Sequence, residues 1–174
     1  MALLKKSDLN SNIHKSKLSC ESYLGKSKTF DVFLSHSFAD QETVLGIKEY
    51  LESKSLSVYI DWIDDNQLDR GEVNEDTADL LRKRMKLSRC LIFATSSNST
   101  SSKWMPWECG YFDGIKGKVA ILPVVDADTY RYEGQEYLGL YPYIDISSDI
   151  LWVNSPSGGF CRLEEWLDGK SPKS

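Results

Sequence analysis

The residues with the clearest capacity for chemistry lie in one segment, 102–114, near the middle of the chain. Helical spacing places Trp104 and Glu108 on one face, with Trp107 and Tyr111 on either side. A carboxylate on an aromatic stripe is unfavourable unless it is paired or functional. Two interpretations follow: Glu108 is a catalytic carboxylate, or it accepts hydrogen bonds from backbone amides at the start of a short helix.

A second group of polar side chains, Ser35, His36 and Ser37, follows an apolar run directly. A catalytic triad needs a nucleophile, a base and a group that orients the base. Adjacent residues of an extended chain point to opposite sides, so Ser35 and His36 do not form a nucleophile–base pair. We therefore expect His36 to act as a hydrogen-bonding loop residue rather than as a general base.

The elements that must position these residues are an alternation of apolar runs and helical patterns. Near-continuous apolar runs are typical of strands that are covered on both faces. Five runs predict strands over 30–35, 57–60, 90–95, 119–125 and 143–146. Helical periodicity predicts helices after Asp40, from Asp76 or Thr77, from about Lys103, and through Leu163 and Trp166.

This alternation predicts an α/β fold with right-handed crossovers. We expect a flavodoxin-like three-layer sandwich, with helices on both faces of a five-stranded parallel sheet of order 2-1-3-4-5. In that order, ligands bind at the carboxyl ends of strands 1 and 3, where the winding reverses. These ends are residues 35–38 and 95–97, so the topology places a binding crevice beside the segment that contains Glu108.

Composition and charge exclude several functional classes. The chain has 174 residues and a net charge of −5, divided into +4 on residues 1–29 and −9 on the rest. An acidic body is a poor general binder of nucleic acid. The sequence has no apolar run long enough for a membrane span and no secretory signal, which predicts a cytoplasmic protein. The four cysteines lack the spacing of a zinc site, and we expect no metal and reduced thiols.

Three segments together resemble the Toll/interleukin receptor (TIR) domain family. Residues 30–40 are similar to its first strand and loop, and residues 61–71 to the long loop after its second strand. Residues 87–108 are similar to its third strand and its S-x-W-x-x-x-E segment. The resemblance covers residues 29–168. It leaves a basic leader over residues 1–28, expected to be flexible or helical, and a tail over residues 169–174.

The resemblance implies an enzyme of the NAD glycohydrolase or ADP-ribosyl cyclase type, which cleaves the bond between nicotinamide and ribose in NAD. It implies Glu108 as the catalytic residue, NAD as a substrate and no cofactor. An oxocarbenium-like ribose is what such a site must stabilise, and a nearby carboxylate does so electrostatically. The candidate substrate-binding residues are Ser35, His36, Phe38, Asp61, Arg70, Ser96, Trp104 and Tyr111.

The same resemblance implies partners. Self-association through the loop 61–75 and the helix near 103–115 is expected, together with a separate effector protein that senses the product. The nearest likeness is to the TIR components of bacterial antiviral systems such as Thoeris, and the expected product is a cyclic or conjugated derivative of ADP-ribose. Two alternatives stay open: a non-catalytic TIR scaffold that acts through protein–protein assembly, and an enzyme similar to nucleoside 2-deoxyribosyltransferases.

Overall fold

A computed structural model describes residues 4–6, 9, 28–65, 74–125 and 136–172. The strands are β1 (Leu4–Lys5), β2 (Phe30–Ser35), β3 (Val58–Tyr59), β4 (Ser88–Thr95), β5 (Val119–Val125), β6 (Tyr143–Ser147), β7 (Ile150–Asn154) and β8 (Phe160–Arg162). The α-helices are α1 (Gln41–Ser53), α2 (Asp61–Asp64), α3 (Glu75–Lys86), α4 (Trp104–Lys116) and α5 (Leu163–Leu167). Short 3₁₀ helices span Phe38–Asp40, Ser99–Ser101 and Glu136–Leu140.

The sheet is mixed. Strands β3, β2, β4, β5 and β6 lie side by side in that order and run parallel, while β7 and β8 extend the sheet as antiparallel strands. The α/β class is confirmed, but the predicted sheet of five strands, all parallel, is too small. Ser148 and Asp149 both have positive φ, at 52° and 61°. Such a pair forms the tight turn of a two-residue hairpin, and that turn folds β7 back onto β6.

Successive residues of each strand point to opposite faces of the sheet, so the core consists of two layers of side chains. Val32 and Leu34 face a core completed by α1 and α5, whereas Phe33 faces a second core completed by α3 and α4. Burying one such side chain contributes about 1.5–3 kcal/mol. Helices therefore cover both faces of the sheet and make three layers.

The helix starts lie close to the predicted positions. Helix α3 begins at Glu75, one residue before the predicted start, because the Asn74 side chain accepts a hydrogen bond of 2.8 Å from the Thr77 amide. Asp40 precedes α1 as predicted, but its carboxylate makes no cap hydrogen bond to that helix. The Asp40 carboxylate instead accepts a hydrogen bond of 2.7 Å from the Asn98 side-chain amide.

The start of the chain contributes to the sheet. Strand β1 runs parallel to β5, with Leu4 beside Val124. Leu9 is buried against α1, where a Cβ added at Gly46 would lie 2.7 Å from the Leu9 Cβ. The expectation of a flexible or helical leader did not include these contacts, because a two-residue strand leaves no periodicity in a sequence.

Gly46→Ala tests the packing of Leu9. Replacing a glycine in the middle of a helix by alanine normally stabilises a protein by about 1 kcal/mol. Here the new methyl group meets Leu9, so we expect no gain or a loss in the free energy of unfolding, measured by urea titration. In a Leu9→Gly background, which removes the Leu9 Cβ, the normal gain should return. An equal gain in both backgrounds would show that Leu9 does not occupy the space beside Gly46.

Asp31, near the start of β2, gives a prediction for the pH dependence of the free energy of unfolding. Burial raises the pKa of Asp31, but hydrogen bonds from Ser57 and Arg89 outweigh it and hold the pKa below its usual value. The stabilisation that these hydrogen bonds give is therefore fully present above the pKa of Asp31 in the unfolded chain, about 4. It is lost as the pH falls through the lower pKa of Asp31 in the folded protein. Asp31→Asn should cost about 1 kcal/mol at pH 7 and nearly nothing at about pH 2, measured by urea unfolding. A cost independent of pH would contradict this.

Among the described helices, none combines the length and the apolar character that crossing a membrane requires.

Candidate active site

The carboxylate singled out by the sequence lies inside the protein. Glu108 is on the face of α4 that packs against the sheet, and its exposed fraction is 0%. The other buried residues of this face are Trp104, Met105, Cys109 and Phe112. An ionised carboxylate is costly in such surroundings unless polar groups hold it. Polar contacts within the fold must therefore offset the free-energy cost of burying Glu108.

Ser35 is one of the groups that hold Glu108. The Ser35 hydroxyl donates a hydrogen bond of 2.6 Å to Oε2 of Glu108, and both residues are fully buried. Ser35 is the last residue of β2, so the bond joins the helix to the carboxyl end of a central strand. A short bond to a charged acceptor is among the stronger hydrogen bonds. The contact across to the sheet supports the interpretation of Glu108 as a site residue.

The aromatic residues of α4 flank Glu108 along the helix and pack against one another. Trp104 is 7% exposed and meets Trp107 edge to face, with 5.4 Å between the ring centroids. Trp107 stacks on Tyr111 at 5.7 Å, and the Arg82 guanidinium lies 5.4 Å from the Trp107 ring. Trp104 is thus mainly a core residue, while Trp107 and Tyr111 are partly exposed.

His36 lies on the face of the sheet that α1 covers, whereas Glu108 lies on the face that α4 covers. Its Nδ1 donates to the Leu34 carbonyl at 2.8 Å, and its Nε2 accepts from the Trp62 indole at 3.0 Å. These two bonds correspond to a neutral imidazole with its proton on Nδ1. Oδ1 of Asp61 is 3.6 Å from Nε2. The geometry agrees with His36 as a hydrogen-bonding residue that is separate from the Ser35–Glu108 pair.

The loops after β2 and β4 are joined by a third polar cluster. The Asp40 carboxylate accepts hydrogen bonds from the Ser96 hydroxyl and the Asn98 amide. Asp40 and Ser96 also line a small cavity that His36 borders. Phe38, in the same region, is 60% exposed. The predicted residues Ser96 and Phe38 therefore lie after the carboxyl ends of β4 and β2, and Ser96 shares its cavity with His36.

One buried cluster was missed by the sequence analysis. The Asp65 carboxylate accepts two hydrogen bonds of 2.7 Å from Arg84 and one of 2.9 Å from the Tyr59 hydroxyl. Burial and the neighbouring Asp65 raise the pKa of Tyr59, so its hydroxyl keeps its proton and donates. The acidic run from Asp61 to Asp65 gives no local sign of which carboxylate is buried. Arg70, another predicted site residue, lies outside the described residues.

Other reactive groups are poorly suited to catalysis. Burial raises the pKa of Cys90 to about 12 and that of Cys109 to about 11, so both thiols are protonated at neutral pH. In the part of the chain that the structure covers, no three His, Cys, Asp or Glu side chains are grouped as a metal site requires. Glu108 therefore stays the candidate catalytic residue.

Comparison with known proteins identifies similar chains. Residues 32–159 match a family model described as the TIR domain. A protein of Bacillus cereus (strain MSX-D12), named "Probable 3' cyclic ADP-D-ribose synthase ThsB'", is 51% identical over 149 residues. The match covers 82% of this chain and 77% of that protein.

Two further matches are more distant. A Cytobacillus dafuensis protein named "Putative cyclic ADP-D-ribose synthase TIR2" is 36% identical over 85 residues, which are 48% of this chain and 22% of that protein. The crystal structure of the TIR domain of the Toll-related receptor TRR-2 from Hydra magnipapillata matches 66% of this chain and 82% of that one. Its TM-score is 0.49 and its sequence identity 19%.

Proposed function

Because the chain belongs to the TIR domain family, we propose that it is an enzyme that cleaves the bond between nicotinamide and ribose in NAD. The observation that carries this proposal is Glu108, a fully buried carboxylate held by Ser35 at the carboxyl end of β2. Burying this carboxylate costs free energy, and a catalytic role accounts for that cost. We place the catalytic domain at residues 29–168.

The product we propose is a cyclic ADP-ribose. The Bacillus cereus relative is named as a 3' cyclic ADP-D-ribose synthase, and it is 51% identical to this chain over 149 residues. The Cytobacillus dafuensis relative is also named as a cyclic ADP-D-ribose synthase. By the likeness to Thoeris-like systems, we propose that the product is a signal in bacterial antiviral defence, made in the cytoplasm and read by a separate effector protein.

The proposed reaction has two bond changes at the same ribose carbon. The carbon–nitrogen bond to nicotinamide breaks, and its electron pair leaves with the neutral nicotinamide. An oxygen or nitrogen atom elsewhere in the same ADP-ribosyl group then bonds to that carbon. One proton is released, either from an attacking hydroxyl group or, when an adenine ring nitrogen attacks, from the amino group of the adenine. The negative charge of Glu108 stabilises the positive charge that develops on the ribose between these changes. Ser35 fixes the carboxylate oxygen through its hydrogen bond.

The remaining predicted site residues receive roles in this proposal according to their positions. Phe38 is exposed at the crevice and offers a ring for stacking. The other substrate contacts that we propose are His36, Asp61, Ser96, Trp104 and Tyr111, together with Arg70, which lies outside the described residues. Glu108 does not line the small cavity that Asp40, Ser96 and His36 border.

The burial of Glu108 also bears on activation. NAD reaches a carboxylate with no exposure only after neighbouring groups move. We propose that self-association through the loop 61–75 and the helix α4 brings about this opening. The exposed Ile115 and the partly exposed Trp107 support an interface on α4. Activity is then expected to rise more steeply than in proportion to protein concentration.

The test is incubation of the purified protein with NAD over a range of protein concentrations, followed by mass spectrometry. The proposal expects free nicotinamide and an ADP-ribosyl product lighter than ADP-ribose by one water molecule. A product with the mass of ADP-ribose would show hydrolysis instead of cyclisation. A trapped covalent ribosyl–Glu108 adduct would favour the transferase alternative, and no nicotinamide at any concentration would favour the scaffold.

A further inference from the structure

Thr95, the last residue of β4, carries a buried hydroxyl group to which the proposed reaction gives no role. The residue is 1% exposed, and its hydroxyl group makes no hydrogen bond to any residue that the structure describes. We propose that Thr95 is a substrate-binding residue, whose hydroxyl group forms a hydrogen bond with a hydroxyl group of the nicotinamide-bearing ribose when NAD occupies the site. This assignment rests on the proposed function and adds a determinant of substrate specificity to it.

The alternation of side chains along β4 places Thr95 on the same face of the sheet as Glu108. Phe93 belongs to the core that α3 and α4 cover, and Ala94 belongs to the opposite core. Because successive strand residues point to opposite faces, Thr95 faces the side that α4 covers. This is the side on which Ser35 donates its hydrogen bond to Glu108.

The register of β2 and β4 places Thr95 beside Ser35, which holds the carboxylate. Ser35 pairs with Phe93, so Thr95 lies two positions farther along the adjacent strand. Strands about 4.8 Å apart with a rise of about 3.3 Å per residue separate the Cα atoms of Ser35 and Thr95 by about 8 Å. Thr95 is the one nearer the carboxyl end of the sheet, and ligands of open α/β sheets bind beyond that end. A substrate that approaches Glu108 from there passes Thr95.

The free-energy cost of burying the Thr95 hydroxyl group supports a functional reason for the threonine. A hydroxyl group that is removed from water without gaining a hydrogen bond destabilises the folded state. Valine has nearly the same shape and avoids this cost, and residues 90–94, directly before Thr95, are all apolar. A hydroxyl group of the substrate would supply the missing partner when NAD binds.

The chemistry of the neighbouring groups favours the ribose as the part of NAD that Thr95 contacts. Glu108 is proposed to stabilise the ribose carbon that reacts, so the hydroxyl groups of the same sugar ring lie close to that carboxylate. A threonine hydroxyl group both donates and accepts hydrogen bonds, which matches a ribose hydroxyl group. Thr95 carries no charge, whereas phosphate groups are bound most strongly by charged donors.

The first measurement is kcat/KM for NAD in Thr95→Val and Thr95→Ser. Thr95→Val keeps the shape and removes the hydroxyl group, so we expect kcat/KM to fall about five- to tenfold, the effect of losing one neutral hydrogen bond. Thr95→Ser keeps the hydroxyl group and should stay within about threefold of wild type. Ser88→Ala is the matched control, because it removes a hydroxyl group at the other end of β4, where Ser88 donates to the Arg84 carbonyl at 2.9 Å. It should leave kcat/KM within about twofold of wild type.

Urea unfolding should separate the same two hydroxyl groups by the direction of the change. Ser88→Ala loses a hydrogen bond and should unfold at a lower urea concentration than wild type. Thr95→Val loses a buried hydroxyl group that has no partner among the described residues, and it should unfold at a higher urea concentration. A lower midpoint for Thr95→Val would show that its hydroxyl group is paired in the folded protein, and would overturn the proposal.

Substrate analogues identify the group that Thr95 contacts. Wild type and Thr95→Val are compared on NAD and on analogues that lack the 2′- or the 3′-hydroxyl group of the nicotinamide-bearing ribose. The effect of Thr95→Val should disappear with one of these analogues, because the partner of the hydroxyl group is then already absent. An equal loss with NAD and with both analogues would show that Thr95 acts on another part of NAD or on the opening of the site, and would overturn the proposal.

Calorimetric titration of NAD into Glu108→Gln gives a readout that does not depend on cleavage. Adding Thr95→Val to this background should raise Kd about five- to tenfold. Equal Kd values, or no binding by either protein, would overturn the proposal. If wild type releases no nicotinamide while Kd still depends on Thr95, the proposed function fails and the contact between Thr95 and NAD stands.

Discussion

Glu108→Gln is expected to lower the rate of nicotinamide release by about 100- to 1,000-fold without lowering stability. Glutamine has the size of glutamate and keeps an oxygen that accepts the Ser35 hydrogen bond, but it carries no charge. The positive charge that develops on the ribose then loses its nearest counter-charge. Initial rates of nicotinamide release at equal protein concentration measure this change.

The same substitution has a second expected effect, on stability. Glu108 is fully buried, and replacing a buried charge by a neutral group of the same volume removes a cost of desolvation. The free energy of unfolding should therefore not fall. Glu164→Gln, at an exposed position on α5, is the control that should leave both quantities unchanged. A loss of activity that matched a loss of folded protein would contradict a catalytic role.

Ser35→Ala is expected to lower the free energy of unfolding by about 1.5–3 kcal/mol and to reduce activity. The substitution removes the donor at 2.6 Å from Oε2 of Glu108 at a position where both residues are fully buried. Glu108 then has one hydrogen-bond donor fewer. Urea unfolding and nicotinamide release measure the two effects.

A double-mutant cycle separates this contact from general effects of cavity formation. In the Glu108→Gln background, Ser35→Ala should cost less than it does in wild type, because the partner no longer carries a charge. Ser35→Thr keeps the hydroxyl and should retain most of the activity. Equal costs in both backgrounds would show that the hydrogen bond between Ser35 and Glu108 contributes nothing specific to the charged form.

The parts of the site that could be predicted from the sequence are those encoded by local periodicity. Spacing along α4 placed Glu108 on the same face as Trp104, and the structure puts both in the core. The apolar runs located β2 and β4, so the residues at their ends were expected at one edge of the sheet. Local patterns work here because helical and strand periods repeat within a few residues.

The parts that could not be predicted depend on contacts between distant residues. Nothing near Asp65 indicates that Arg84, in another element, will hold it, and nothing near Leu9 indicates that it will pack beside Gly46. The hairpin of β6 and β7 was missed because Ser148 and Asp149 are a less common pair for a tight turn than asparagine and glycine. Such pairings follow from the tertiary fold and leave no repeating pattern in the chain.

The central claim is that the buried carboxylate of Glu108 cleaves NAD. The most direct measurement is the initial rate of nicotinamide release by wild type, Glu108→Gln and Glu164→Gln, side by side over the same range of protein concentrations. We predict release by wild type and Glu164→Gln that rises steeply with concentration, and a rate at least about 100-fold lower for Glu108→Gln. Equal release by all three proteins, or release by none of them at any concentration, would contradict it.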